Sequence, residues 1–311
     1  MSLPTVSVVM SVYNGAGRLR ATMDSVLDQQ GVDIEFIIVN DGSTDGAAEI
    51  LKECAETDAR VTILDRPHRG LTAALIEGCA HARGRYIARQ DVGDLSQPGR
   101  LESQARVLDN DSESVLVSCV TRFVGPEGEI LSDTPIPENP TADLLTLQRA
   151  QLRGPHHGCT MFRRDVYDAV GGYRQPFEVA QDLDLWVRLA EKGRHSVVPC
   201  PFYQALIAPD SISATRRRDQ ERATRVILQC ARLRREGRSQ DVGLRRLQFR
   251  KSLGRAPARW HRAATAYFIA RCLDSSDPVK ADRYYRQAIV QWPVHLKAWW
   301  FILKPAKSFV D

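Results

Sequence analysis

The first hundred residues alternate short apolar runs with helical patterns, and this alternation constrains the fold more than any other feature of the 311-residue chain. The apolar runs are VSVVMSV (6–12), EFIIVN (35–40), VTIL (61–64) and RYIAR (85–89). They are short, nearly continuous and rich in β-branched residues, as expected of strands covered on both faces. Between the first two, Leu19, Met23 and Val26 recur at helical spacing. The pattern predicts an α/β fold with a doubly wound, mixed but mostly parallel sheet.

Composition excludes several classes of protein. Hydrophobic residues make up 43% of the chain, which is enough for a substantial core. The 7 cysteines are scattered and contain no CxxC pair, so neither a disulfide framework nor a thiolate metal site is indicated. We find no signal peptide and no apolar stretch of about 18 residues. These features predict a cytoplasmic protein, at most attached to the inner face of a membrane.

Charge divides the chain near Ser213. Residues 215–311 carry 23 Lys and Arg against 8 Asp and Glu, a net charge of +15, whereas residues 1–214 carry 20 against 30, a net −10. We therefore predict an α/β domain over 1–213 and a basic helical C-terminal extension over 214–311. The basic surplus suits an anionic partner, although a solvated arginine-rich helix face accounts for it equally well.

Polar residues follow each predicted strand of the first domain. Tyr13 and Asn14 come after the first strand, Asp41 after the second, Arg66 after the third and Asp91 after the fourth. In such sheets ligands bind outside the carboxyl ends of the strands. The sequence therefore predicts a ligand site formed by these residues.

Asp91 and Asp94 flank Gly93 directly after the fourth strand. Clustered carboxylates repel one another, so such a group usually serves a cation, and Mg²⁺ commonly binds through one or two carboxylates plus phosphate oxygens. For Asp41 a turn-forming role is the alternative, because Asp-Gly-Ser-Thr-Asp is also a good turn and helix-capping sequence.

Four segments, in this order, resemble the landmarks of family 2 glycosyltransferases with the GT-A fold. They are VSVVMSVYNGAGRLRATMDSVLDQ, IIVNDGSTDGAAEIL, GLTAALIEGCAHARGRYIARQDVGD and GGYRQPFEVAQDLDLWVRLAEKG. The resemblance covers about residues 4–213. A Rossmann-type dehydrogenase is disfavoured because no GxGxxG follows the first strand.

The resemblance implies a donor site and a metal. The implied donor-binding residues are Tyr13, Asn14, Asp41, Arg66 and Asp91. Asp91 and Asp94 occupy the place of the family's DxD motif, and the implied cofactor is a divalent metal, Mn²⁺ or Mg²⁺. Gly93 stands where the family usually has an aspartate. Either Asp94 or Asp91 then serves as the metal ligand, or the glycine admits another donor group or marks a site that tolerates loss of the metal.

An acceptor side and a general base are also implied. GPHHGCTMFRRDVYDAVGGYR resembles the acceptor-side segment, with His157 and Tyr173 as candidates, while we interpret His156 as structural. In QDLDLWVRLA the apolar spacing predicts a helix with Asp182 in its first turn, where the helix dipole favours a charged carboxylate. Asp182 matches the family's general base. Gln181 replaces the acid that normally precedes it.

The implied reaction is an inverting transfer from a UDP- or dTDP-sugar to a saccharide or lipid-linked acceptor in surface polysaccharide synthesis. No nucleic acid partner is expected. The alternative is a binding or scaffolding relic, with Gly93, Gln181 and Gln204 marking lost chemistry. The final segment HLKAWWFILKPAK mixes aromatic and basic residues, which suits either an anionic membrane surface or packing in a core or dimer.

Overall fold

A computed structural model describes residues 3–146, 148, 150, 152, 154–207, 216–240, 244, 247 and 258–303. The chain forms two compact units. The first comprises Met1–Arg122, Asp133–Ala205 and Asp219–Gln248, and the second comprises Phe123–Ser132, Leu206–Arg218 and Phe249–Asp311. The predicted domain boundary after Ser213 lies outside the described residues.

The described strands form one nine-stranded sheet. They are β1 Val6–Val12, β2 Ile34–Asp41, β3 Val61–Arg66, β4 Tyr86–Asp91, β5 Leu95–Ser96, β6 Ser114–Val124, β7 Ile130–Asp133, β8 Met161–Arg163 and β9 Arg194–Leu206. Their order is β3-β2-β1-β4-β8-β6-β9-β5, with β7 paired to β6. The neighbours β3, β2, β1 and β4 are parallel, whereas β8 is antiparallel to β4 and β6. The predicted mixed, mostly parallel α/β fold is confirmed.

The described helices of the first unit connect and cover these strands. They are α1 Ala16–Leu27, α2 Ala47–Thr57, α3 Leu71–Ala80, α4 Arg100–Asn110, α5 Pro140–Leu145, α6 Arg164–Ala169, α7 Gln181–Ala190 and α8 Arg217–Arg235, whose first two residues belong to the second unit. All eight residues of β2 are buried. Val9, Leu75 and Trp186 belong to one apolar cluster, so α3 and α7 pack on the same body of the core. Continuous apolar character thus marks a strand covered on both faces.

The described part of the second unit is mainly helical. Its helices are α9 Ala258–Leu273, α10 Pro278–Gln291 and α11 Leu296–Leu303. Asp277 begins α10 by accepting a hydrogen bond from the backbone N–H of Lys280 at 3.0 Å, and proline occupies the first turn. Among the described residues, no helix has both the length and the apolar character that crossing a membrane requires.

Candidate active site

The carboxyl ends of four parallel strands lie side by side in the first unit. Ser11 of β1 is in register with Asp91 of β4, and Asp41 of β2 is in register with Arg66 of β3. Val12 of β1 pairs with Asn40 of β2, the residue before Asp41. Parallel pairing therefore brings the polar residues that follow each strand to one edge of the sheet, as the strand pattern predicts.

A tight turn closes β4 and carries the two predicted metal ligands. The backbone N–H of Asp94 donates to the carbonyl of Asp91 at 3.3 Å, and Gly93 has φ +93°. The Gly93 N–H donates to Thr22 Oγ1 at 3.0 Å. Residues with a side chain rarely adopt this φ, which supplies a physical reason for glycine at the position where the family usually has an aspartate.

Asp91 and Asp94 lie together with a third metal-binding side chain, His156. One potential ligand atom from each of the three lies within 4.8 Å of the others. Asp94 is buried, whereas Asp91 and His156 are partly exposed. Two carboxylates and an imidazole are suitable ligands for a divalent transition-metal ion, so the residues present fit such a group.

Close packing positions the segment that carries His156. A Cβ added to Gly158 would lie 1.9 Å from the Tyr203 hydroxyl and 3.1 Å from Asp91 Oδ2, so only glycine allows this approach. The buried guanidinium of Arg100 donates to the carbonyls of Arg89 at 2.6 Å and of Gly158 at 2.7 Å. This side chain therefore ties the segment directly to β4.

Arg89 is a fully buried cation next to Asp91. Its guanidinium donates to Asp91 Oδ1 at 2.9 Å, to His157 Nε2 at 3.2 Å and to the carbonyl of Val9. Burial raises the pKa of Asp91, but the positive charge of Arg89 and its neighbours outweighs burial and holds that pKa below its usual value. Asp91 is therefore ionised at neutral pH.

His157 is a buried histidine that contacts Arg89 and Tyr173. Tyr173 donates its hydroxyl to His157 Nε2 at 2.7 Å. Burial first, and then Arg89, lower the pKa of His157 to about 4, while the negative charges of Asp91 and Asp182 oppose that shift. Asp91 and Asp182 are thus both close enough to the same neutral imidazole to act on it electrostatically, although they are distant along the chain.

Asp182 lies in the first turn of α7, as the apolar spacing predicts. The preceding Ala180 has φ +56°, which ends the loop sharply before the helix. Asp182 is partly exposed, whereas Asp184 is buried and forms ion pairs with Arg174 and Arg188. The two acids of this turn therefore differ in environment, and Asp182 is the one accessible to a substrate.

Asp41 is buried at the end of β2 and holds the loop before α3. Its carboxylate accepts hydrogen bonds from the backbone N–H groups of Arg69 at 2.8 Å and Gly70 at 2.9 Å. His68 Nδ1 lies 2.9 Å from Asp41 Oδ2, and the His68 ring stacks on Tyr13 with 3.9 Å between centroids. Tyr13 and His68 therefore form an exposed pair of stacked rings beside the ends of the strands.

The two remaining predicted donor residues have local partners. Asn14 has φ +53°, and its side-chain oxygen accepts from the backbone N–H of Thr44 at 2.7 Å. Arg66 forms an ion pair with Glu77 of α3 and donates to the carbonyl of Asp65. The donor-binding roles of Asn14 and Arg66 stay predictions.

The strand pattern and the motifs missed several residues of the site. These are His68, Arg89, Arg100, His156 and Tyr203. Only Arg89 has a signal in the sequence, because a charged residue within the buried run RYIAR requires a buried partner. The others reach the site through tertiary contacts between distant segments.

The fold and the site define an α/β protein with a candidate ligand site lined by carboxylates at the ends of parallel strands. The family model described as glycosyl transferase family 2 matches residues 7–171. The chain therefore belongs to glycosyl transferase family 2.

Curated relatives support this assignment. The chain is 34% identical over 194 residues to the putative glycosyltransferase EpsE of Bacillus subtilis, covering 61% of this chain and 68% of EpsE. It is 28% identical over 212 residues to the chondroitin synthase of Pasteurella multocida, covering 68% of this chain. The match spans only 21% of that synthase, and the same share of a hyaluronan synthase from Pasteurella multocida.

Solved structures show the same fold. S. aureus TarS 1-349 in complex with UDP-GlcNAc aligns with a TM-score of 0.59 at 13% identity, covering 94% of this chain and 81% of that one. The mannosyltransferase PcManGT from Pyrobaculum calidifontis, in complex with GDP-Man and Mn²⁺, aligns with a TM-score of 0.56 at 18% identity. That alignment covers 97% of this chain and 84% of PcManGT. The chain therefore has the GT-A fold.

Proposed function

We propose that this protein is an inverting glycosyltransferase that moves a sugar from a UDP- or dTDP-linked donor to a saccharide or lipid-linked acceptor in surface polysaccharide synthesis. The observation that carries the proposal is that Asp91 and Asp182 both act electrostatically on the buried His157, which supports one shared site for a donor-side acid and a candidate base. Relatives named as chondroitin and hyaluronan synthases support a polysaccharide product.

The donor half binds and orients the sugar nucleotide. The exposed ring of Tyr13, held by His68, offers a face on which the base stacks. A divalent cation, when held by Asp91 and Asp94, supplies positive charge that stabilises the departing diphosphate. Arg89 keeps Asp91 ionised, so this carboxylate is ready to act as a ligand at neutral pH.

Asp182 acts on the acceptor. Its carboxylate accepts the proton of the acceptor hydroxyl as that oxygen attacks the anomeric carbon from the face opposite the leaving diphosphate. The first turn of a helix stabilises the charged carboxylate before the acceptor arrives. Attack from the opposite face inverts the anomeric configuration.

Replacing the candidate base tests the proposal. Asp182→Asn should lower kcat by about 10²- to 10⁴-fold and leave the Kd for the nucleotide diphosphate unchanged, since only proton transfer is removed. Asp168→Asn, which alters an exposed acid paired with Arg164, is the matched control and should retain full activity. NMR of the product should show the inverted anomer.

Two results would count against the proposal. A retained anomeric configuration would exclude direct displacement by the acceptor. Nucleotide binding without transfer to any acceptor in a broad panel, and without an effect of Asp182→Asn, would favour the binding or scaffolding alternative.

We propose that the enzyme acts at the inner face of an anionic membrane, and the composition of α11 supports this location. Ala298 and Phe301 pack in the apolar cluster of the second unit, while Leu296, Trp299 and Trp300 of the same short helix are exposed. Lys297 lies on this helix, and residues 215–311 carry a net charge of +15 that complements anionic lipid. Exposed tryptophan beside basic residues is typical of interfacial binding.

Vesicle cosedimentation tests this location. The full chain should bind phosphatidylglycerol vesicles better than phosphatidylcholine vesicles, and Trp299→Ser with Trp300→Ser should weaken that binding by about tenfold or more. Ile130→Ser removes another exposed apolar side chain of the same unit and should have no effect. Equal binding by the double variant would refute membrane contact through α11, and a concentration-dependent dimer lost in that variant would assign the face to a second copy instead.

A further inference from the structure

We infer that His156 is the third protein ligand of the divalent cation, taking the place of the acid that is missing at Gly93. The inference rests on the proposed function, because it assumes that a cation binds at the end of β4. It adds a ligand from a segment that the DxD resemblance does not include, and it specifies which ions the site prefers.

The potential ligand atoms of three residues lie close together at the end of β4. A single ion requires ligand atoms from separate residues to converge on one point, and Asp91, Asp94 and His156 offer one atom each within 4.8 Å of the others. Among the described residues, this is the one group of three or more acids, histidines or cysteines with that property. Two of the three are the acids that the sequence motif indicates, so His156 extends a predicted site rather than forming a separate one.

Buried hydrogen bonds of Arg100 hold the segment that carries His156 next to β4. Arg100 donates to a carbonyl on β4 and to the carbonyl of Gly158, which joins the two segments that carry the ligands. Gly158 itself allows the close approach to Asp91 and Tyr203. These contacts hold the backbone that carries His156 next to the end of β4, so the approach of the imidazole to the two acids does not depend on a bound metal.

The adjacent histidines His156 and His157 lie in different environments. His157 is buried, and its Nε2 accepts hydrogen bonds from Arg89 and Tyr173. His156 is partly exposed and faces the two acids, with its ring 5.5 Å from that of Tyr203. The structure therefore assigns different tasks to the two, and our sequence-based interpretation of His156 as purely structural does not account for its position.

An imidazole ligand changes ion preference. Mg²⁺ and Ca²⁺ favour oxygen ligands, whereas imidazole favours the later divalent transition metals. A site of two carboxylates and one imidazole should therefore bind Co²⁺ more tightly than Mn²⁺, and Mn²⁺ more tightly than Mg²⁺. His156→Asp should restore an all-oxygen set and shift the preference back toward Mg²⁺.

Pulsed electron paramagnetic resonance on the tag-free protein with Mn²⁺ and UDP tests the assignment directly. The wild-type complex should show coupling between Mn²⁺ and a directly bound imidazole nitrogen. His156→Asn should abolish this coupling and weaken Mn²⁺ binding by about tenfold or more. His81→Asn, which alters an exposed histidine at the end of α3, should change neither.

The outcomes separate this inference from the proposed function. Tight Mn²⁺ binding without nitrogen coupling in the wild-type protein, or coupling that survives in His156→Asn, would overturn the role of His156 and leave the donor site intact. Unchanged Mn²⁺ binding by Asp91→Asn would instead overturn the cation site itself. The wild-type measurement needs no variant, so a folding defect in His156→Asn could not hide the answer.

Discussion

The ends of β2 and β4 carry the same side chain in two different environments. Asp41 and Asp91 both complete a buried parallel strand, and both lie at the same edge of the sheet. The Asp41 carboxylate is buried and accepts two backbone hydrogen bonds, whereas that of Asp91 is 30% exposed and contacts the guanidinium of Arg89. Position at a strand end therefore indicates where a site lies, but the partners of each carboxylate decide what it does.

The two kinds of partner have different physical consequences. Neutral backbone N–H groups use both oxygens of Asp41 and fix the loop that presents His68 to Tyr13. A buried guanidinium contacts one oxygen of Asp91 and keeps the carboxylate charged, while the side chain stays 30% exposed. The contacts of Asp41 fix the loop that lines the site, whereas the contact of Asp91 with Arg89 keeps a proposed cation ligand ionised.

Among the changes that test this comparison of strand ends, Asp91→Asn should have the largest effect. It removes a proposed cation ligand, so we expect kcat to fall on the order of 10²- to 10³-fold, as when one electrostatic contact to a developing charge is lost. Steady-state kinetics over a range of Mn²⁺ concentrations measures this. Asp133→Asn, which weakens a surface pair with Arg122, is the control. Full activity in Asp91→Asn would show that Asp91 is not needed for the reaction, and that Asp91 at the end of β4 does not differ in this respect from Asp41 at the end of β2.

Asp41→Asn should act on stability. An amide can accept from only one of the two backbone N–H groups, so the free energy of unfolding should fall by about 1–3 kcal/mol. Urea denaturation measures this, with Asp65→Asn, an exposed acid on the adjacent strand, as the control. The dependence of activity on Mn²⁺ should stay as in the wild type. An altered dependence of activity on Mn²⁺ in Asp41→Asn would show that Asp41, like Asp91, contributes to cation binding.

Gly93→Ala should cost about 1–2 kcal/mol of unfolding free energy, because φ is +93° at this position. The added Cβ meets only Arg18 Cδ at 3.7 Å, so backbone strain rather than a clash is the cause. Gly17→Ala, in α1 with no atom within 4 Å of the added Cβ, should be neutral or slightly stabilising. Equal stability of the two variants would remove the conformational reason for glycine in the β4 turn.

The smallest expected effect is that of His68→Ala. Loss of the stacked ring frees Tyr13, and the Kd for UDP should rise by about two- to tenfold, the equivalent of an aromatic pair worth about 0.5–1.5 kcal/mol. Calorimetry with UDP measures it, and His81→Ala is the control. A change above a hundredfold would mean that the loop between β3 and α3, which carries His68, binds the donor as directly as the β4 turn.

Local sequence pattern was sufficient for strands β1–β4 and for the placement of Asp41, Asp91 and Asp182 at the ends of their elements, and motif order was sufficient for the family. Strand and helix periodicity is short-range, because it reflects which faces of one segment are buried. Asp94 could also be predicted, since the Gly93 turn that positions it is local.

Only the tertiary structure decided which residues meet. Periodicity carries no information on the approach of Gly158 to Asp91, on the link that Arg100 makes between β4 and that segment, or on the stacking of His68 on Tyr13. These contacts join segments that are distant along the chain, and they depend on the order of strands in the sheet and on close packing between them. Local periodicity therefore determined the strands and helices of this edge of the sheet and the polar residues at their ends. Packing between distant segments determined which partners each of those side chains contacts, and hence which role we propose for it.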